Sequence, residues 1–169
     1  MKDGVFRIKF ALLLVAQVLM LNYCNFSQYL TPVFLPVMIL CTPIQRKTYH
    51  SLLLAFACGF AVDFLAGGML GLTSLALLPV ALVRKGVITL VFGSEVYSRM
   101  ENISAKRQGW GKVVLATLIL TALFLALYIW ADGAGTRPLW FNIARFAVSM
   151  AGSTLLSLAV ADILFADKS

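Results

Sequence analysis

The sequence predicts an all-α integral membrane protein, folded as a single bundle of about six transmembrane helices. Of its 169 residues, 61% are hydrophobic and only 12% are charged, whereas soluble domains are about half apolar and about a quarter charged. Apolar runs recur along the whole chain, and none shows the alternating pattern of a membrane β-barrel strand. We therefore expect one transmembrane domain that covers residues 1–169.

Six apolar stretches define the predicted helices. They cover residues 6–23, 29–44, 49–66, 69–92, 113–131 and 139–165. A spanning helix needs about 20 apolar residues, so the second and third stretches are short, and Arg84 and Lys85 interrupt the fourth. The second stretch also contains Pro32, Pro36 and Pro43, which predicts a kinked or shortened helix.

The basic residues predict that both termini lie in the cytoplasm. Positive charges accumulate on the cytoplasmic side of membrane proteins, and six crossings with an inner N-terminus place most of this chain's cations there. The predicted inner residues are Lys2, Arg7, Lys9, Arg46, Lys47, Arg84, Lys85, Arg99, Lys106, Arg107, Lys112 and Lys168. Only Arg137 and Arg145 fall toward the outside. The net charge of +7 therefore indicates orientation in a membrane, and no nucleic-acid partner is expected.

The segment 94–112 is the one substantial polar stretch on the predicted inner side. Val96, Met100 and Ile103 share a helical face, and a basic cluster follows them. Two interpretations remain open: a short helix lying on anionic inner-leaflet lipid, or a solvated connector. A partner could also dock on this segment.

A stripe of small residues in the third predicted helix contains one carboxylate. Ser51, Ala55, Gly59, Asp63 and Gly67 recur every four residues, and such stripes let neighbouring helices approach closely in lipid. Asp63 therefore faces protein rather than lipid, because a carboxylate at membrane depth needs a partner.

Asp63 has two alternative partners. It can pair with Arg145, which the predicted topology places at a similar depth. It can instead cap the fourth helix by accepting hydrogen bonds from amides between Gly67 and Gly71. A proton relay or an ion path through the bundle would need more intramembrane carboxylates than the chain has.

The sixth predicted helix carries a second polar stripe, formed by Ser149, Ser153 and Ser157. We expect it to pack tightly inside the bundle. Arg84 and Asp162 lie near the inner ends of their helices and could pair, although Asp162 can also reach headgroup water.

No catalytic or metal-binding constellation is readable in the sequence. No histidine accompanies the membrane serines, and the scattered Cys24, Cys41, Cys58 and His50 lack the spacing of a metal site. We expect no enzymatic activity, no metal and no cofactor.

Several of these residues together resemble a known family, the rod shape-determining protein MreD. The resemblance rests on Gly59-Phe60-Ala61-Val62-Asp63, on Gly67-Gly68-Met69-Leu70-Gly71-Leu72, and on an apolar helix that reaches Arg84 at its inner end. The Thr31-Pro32 start of the second helix is also similar to the family's pattern. The similarity covers about residues 10–85, and Gly59, Asp63 and Gly71 carry the motif.

The resemblance implies a non-enzymatic subunit of the bacterial elongation (rod) complex in the inner membrane. Its implied partners are MreC, the peptidoglycan synthase RodA with its penicillin-binding transpeptidase, and the MreB filament on the cytoplasmic side. The implied fold is similar to the substrate-binding subunits of energy-coupling-factor transporters. The alternative function is therefore a small-molecule-binding subunit of such a transporter.

Overall fold

The computed structural model describes residues 2–23, 30–43, 48–67, 69–93, 109–133 and 138–165. Every regular element in these ranges is a helix. The helices, in chain order, are α1 Lys2–Tyr23, α2 Leu35–Leu40, α3 Thr48–Leu65, α4 Leu72–Phe92, α5 Trp110–Gly133 and α6 Leu139–Phe165. The predicted all-α membrane bundle is confirmed.

Five of the six helices are long and apolar enough to cross a bilayer, namely α1 and α3 to α6. The protein is thus a multi-pass membrane protein. Its predicted helix ends agree with the observed ones to within four residues in these five cases, because the ends follow the change from apolar to polar sequence. Consecutive helices pack side by side from α3 to α6.

The second predicted helix, 29–44, is shortened, as its prolines predict. Residues 30–34 are non-helical, and only Leu35–Leu40 forms helical turns. Prolines explain both limits, because Pro36 suits the first turn of a helix whereas the residue before a proline is pushed toward extended backbone. Thr31 precedes Pro32, and the helix has ended before Pro43.

Segment 30–43, which we call the central segment, occupies the centre of the bundle. Its residues from Val33 to Cys41 are all buried, and α2 contacts all five long helices. The segment therefore takes the place of a spanning helix, and it never meets lipid along these nine residues.

The start of α1 and the end of α6 lie at the same end of the bundle, which we call the proximal end. The Lys9 ammonium near the start of α1 donates to the carbonyl of Ile163 near the end of α6, at 3.5 Å. At the other, distal end, the amide of Asn22 donates to the carbonyl of Leu65, at 3.1 Å. These two contacts set the direction of α1, α3 and α6 in the bundle.

The faces of the long helices separate into a buried polar stripe and an exposed apolar side. On α3, Ser51, Ala55, Gly59 and Asp63 are buried, while Phe64 on the opposite side is 67% exposed. Large apolar side chains on the outside of a membrane bundle face acyl chains, so the arrangement suits a lipid solvent.

Candidate functional site: intramembrane charges and the central segment

Asp63 caps the distal start of α4. Its carboxylate is 4% exposed and accepts hydrogen bonds from the amides of Gly71 and Thr73, each at 3.0 Å, and of Ser74 at 3.4 Å. The first amides of a helix have no partner inside the helix, and the helix dipole places partial positive charge there. The capping alternative is therefore the one that the structure adopts.

The turn between α3 and α4 brings those amides to the carboxylate. Gly71 has φ +93°, a conformation that residues with a Cβ adopt at a cost, and it directs its own N–H at Asp63. Gly67 also has a positive φ, +66°, and lies exposed just beyond α3. The predicted small stripe thus faces protein as far as Asp63, and Gly67 belongs to the turn.

Gly59 sets the distance between α3 and α4. A Cβ built at Gly59 would lie 2.6 Å from the Cα and 2.7 Å from the backbone nitrogen of Ser74. The hydroxyl of Ser74 donates to the carbonyl of Phe56 across the same contact, at 3.4 Å. Only a glycine lets the two backbones approach this closely, as the predicted packing role of the stripe requires.

Arg145 does not pair with Asp63, so the predicted ion pair is wrong. Its Nη1 forms an ion pair with Asp132, on α5. Its Nε and Nη2 donate to the hydroxyl of Thr31 at 3.3 and 3.2 Å. Depth in the membrane does not fix the direction of a side chain around its helix, and Asp63 already accepts hydrogen bonds from three amides.

Arg84 caps the proximal end of α2. Its Nη2 donates to the carbonyls of Thr42 and, at 3.3 Å, of Leu40, while Nη1 donates to the Ser51 hydroxyl at 3.4 Å. The last carbonyls of a helix lack partners inside it, and a cation near them is favourable. The suggested pair with Asp162 does not form, because Asp162 is exposed on α6.

Two serines of the α6 stripe satisfy the backbone of the non-helical residues 30–34. The Thr31 amide donates to Ser149 Oγ at 2.9 Å and the Val33 amide to Ser153 Oγ at 3.0 Å. Ser153 Oγ donates in return to the Thr31 carbonyl, at 3.2 Å. Unpaired backbone groups are very costly inside a membrane, so these hydroxyls let the chain stay non-helical there.

Gln17 on α1 completes this arrangement from the other side. Its Nε2 donates to the Pro32 carbonyl and its Oε1 accepts from the Phe34 amide, both at 3.0 Å. Sequence reasoning missed Gln17, although it is the single polar side chain of the apolar run 10–21. A lone amide in such a run is a signal that could have identified it.

The remaining predicted positions have different outcomes. Ser157 is fully buried as expected of its stripe, but its hydroxyl has no hydrogen-bond partner among the described residues. Most of the segment 94–112 lies outside the described residues, and α5 begins at Trp110, three residues earlier than predicted.

The polar groups described above bind the protein's own backbone and one another. Asp63, Arg84, Gln17 and two of the serines each stabilise a helix end or the non-helical residues 30–34, so their arrangement is suited to holding the bundle together. No model of a known family, no curated protein and no solved structure matches this chain. The fold and these contacts define a multi-pass α-helical membrane protein.

Proposed function

We propose that this chain is a non-enzymatic membrane subunit of the bacterial elongation (rod) complex. In this role it scaffolds MreC and the peptidoglycan synthase RodA with its penicillin-binding transpeptidase, and thereby maintains cell shape. One observation carries the proposal: the intramembrane carboxylate, both buried arginines and the central glutamine are all engaged by the bundle's own groups. A protein built this way offers its outer surfaces to partners.

The residues of the MreD-like motif also support the proposal, because they act together. Gly59 permits the close contact of α3 and α4, and Asp63 holds the first amides of α4, including that of Gly71. A motif with such a local role in the hairpin explains why these residue types occur at this spacing.

The proposed location is the bacterial cytoplasmic membrane with both termini inside. The proximal position of the start of α1 and the end of α6 and the predicted excess of basic residues on that side support it. The same orientation predicts that the basic segment 94–112 is on the side of the MreB filament. Fusions of a fluorescent protein and of alkaline phosphatase to either terminus test the orientation. We expect the fluorescent protein to fluoresce and alkaline phosphatase to be inactive at either terminus. Active phosphatase at either terminus would contradict the proposed orientation.

Depletion in the native rod-shaped host tests the function. We expect cells to become round, and MreC and RodA to copurify with the tagged chain from the detergent-solubilised membrane. Restoring the wild-type chain is expected to restore rods. Unchanged rods, together with the absence of both proteins from the purified chain, would contradict the proposal.

The alternative is a small-molecule-binding subunit of an energy-coupling-factor transporter. It is favoured by the distal end of α5 and α6, where the side chains of Arg145 and Asp132 keep 11% and 24% of their surfaces exposed. Trp140, in the first turn of α6, is exposed as well. Copurification of a vitamin, with lost vitamin uptake and normal shape on depletion, would establish this alternative.

A further inference from the structure

Three fully buried hydroxyl groups have no hydrogen-bond partner among the described residues. They belong to Thr117 and Thr121 on α5 and to Ser157 on α6, each 0% exposed. Hydroxyls in helices usually donate to the carbonyl four residues earlier. Thr89 and Thr154 do so here, at 2.9 and 2.6 Å, so the three unpartnered groups are exceptions in their own bundle.

The register of α5 and α6 brings the three hydroxyls to one depth. Two contacts fix this antiparallel register: the Asp132–Arg145 ion pair and the Asn142 amide, 2.9 Å from a Cβ built at Gly133. Both helices rise by the same amount per residue. Counting equal numbers of residues from these contacts places Ser157 level with residues 118–120, between Thr117 and Thr121.

Helical periodicity also turns these hydroxyls toward one another. Ser149 and Ser153, the preceding residues of the Ser157 stripe, contact the central segment, so Ser157 faces the bundle centre one turn further on. Thr121 precedes Asp132 by 11 residues, which is about three turns, and it therefore shares the face of α5 that meets Arg145. Thr117 lies one turn beyond Thr121.

We propose that Thr117, Thr121 and Ser157 bind one or two water molecules in the middle of the membrane, between α5, α6 and the central segment. A buried water makes about three hydrogen bonds to buried polar groups that lack other partners, and a hydroxyl can both donate to it and accept from it. A cation is a poor match, because the carboxylate of α5, Asp132, lies about three turns away and is already paired with Arg145.

Such a hydration site gives the α5–α6 contact a different character from the α3–α4 contact. At the α5–α6 contact the hydroxyls are joined through water, which is enthalpically nearly as good as a direct hydrogen bond, whereas the Asp63 cap is a set of direct bonds.

Infrared spectroscopy of a cysteine placed at the site tests the proposal. Ser157→Cys is made in a chain whose native Cys24, Cys41 and Cys58 are alanines, reconstituted in phosphatidylethanolamine–phosphatidylglycerol nanodiscs. The S–H stretch is expected at the lowered frequency of a hydrogen-bonded thiol and is expected to convert to S–D in D2O. Ala161→Cys, one turn away and also fully buried, is the matched control and is expected to show a free, slowly exchanging thiol.

Adding Thr117→Val and Thr121→Val identifies the partner of that thiol. Loss of the two hydroxyls is expected to release the water, so the S–H stretch moves to the frequency of the Ala161→Cys control. A stretch that stays lowered in this background means that an α6 carbonyl binds the thiol, and it overturns the proposal. So does a Ser157→Cys spectrum equal to that of the control.

Thr121→Cys serves as a second probe position if Ser157→Cys does not fold. Its thiol is expected to be hydrogen-bonded in the presence of Ser157 and free after Ser157→Ala. A free thiol in both cases overturns the proposal.

Discussion

The hairpins α3–α4 and α5–α6 each hold a buried charge at their distal end, and they stabilise it in opposite ways. Among the described residues Asp63 has no ion-pair partner, and it accepts hydrogen bonds from three backbone amides at the start of α4. Arg145 instead forms an ion pair with Asp132 and donates to the Thr31 hydroxyl. An acid can be satisfied by a helix start, where free N–H groups point outward. A guanidinium only donates, so it needs acceptors that a continuous helix does not offer.

Arg84 shows the second way in which a guanidinium finds acceptors. It reaches the carbonyls of Leu40 and Thr42, which are free because α2 ends there. The shortness of α2 and the burial of Arg84 thus depend on each other. If this comparison is right, substitutions in the two hairpins lower the free energy of unfolding by different amounts and respond differently to charge exchange.

The largest effect is expected for Asp63→Ala. It leaves the amides of Gly71, Thr73 and Ser74 unsatisfied in the bundle, and we expect the free energy of unfolding to fall by about 3–4 kcal/mol. Asp63→Asn keeps one acceptor and should lose roughly half as much. Denaturant unfolding in mixed micelles measures both, and equal losses for the two variants would contradict the amide cap.

The next effect is expected for Gly59→Ala. The new methyl group meets the backbone of Ser74, so α3 and α4 must separate, at a cost of about 2 kcal/mol. Gly86→Ala on α4 is the matched control, because nothing lies within 4 Å of its Cβ position. Its unfolding midpoint should be unchanged or slightly higher. A Gly59→Ala variant as stable as the Gly86→Ala control would mean that α4 can shift freely.

Charge exchange distinguishes the two hairpins directly. Asp132→Arg or Arg145→Asp alone should destabilise the protein by about 1–2 kcal/mol, since Asp132 is partly exposed. The double exchange Asp132→Arg with Arg145→Asp should recover part of the loss. Exchange of Asp63 with Arg145 should recover nothing, because the amides of α4 would then face a cation. Recovery in that second pair would restore the Asp63–Arg145 hypothesis.

The smallest effect is expected for Ser153→Ala. The substitution removes the hydroxyl that accepts from the Val33 amide and donates to the Thr31 carbonyl. The loss should lower the free energy of unfolding by about 1 kcal/mol. Thr154→Val is the neighbouring control, because its hydroxyl only bonds its own helix. Thermal unfolding followed by circular dichroism compares the two, and equal midpoints would show that residues 30–34 do not need the serine.

The sequence predicts the five long helices well because their limits depend on local hydropathy alone. Capping by Asp63 could also be anticipated, since the glycine turn follows only eight residues later. The non-helical residues 30–34 could not be placed, because their partners Ser149 and Ser153 lie 118 and 120 residues further along the chain. The partner of Arg145 was missed for another reason: a depth estimate contains no information on which side of a helix faces which neighbour.

The same sequence separation has a consequence for biosynthesis. Thr31 and Val33 leave the ribosome long before the serines that will receive their N–H groups, so this part of the nascent chain cannot enter acyl surroundings alone. Until α6 has been made, the backbone of residues 30–34 must be hydrogen-bonded by water, by the translocon or by Gln17 of α1. Truncation that removes α6 is therefore expected to displace residues 30–34 from the interior of the membrane.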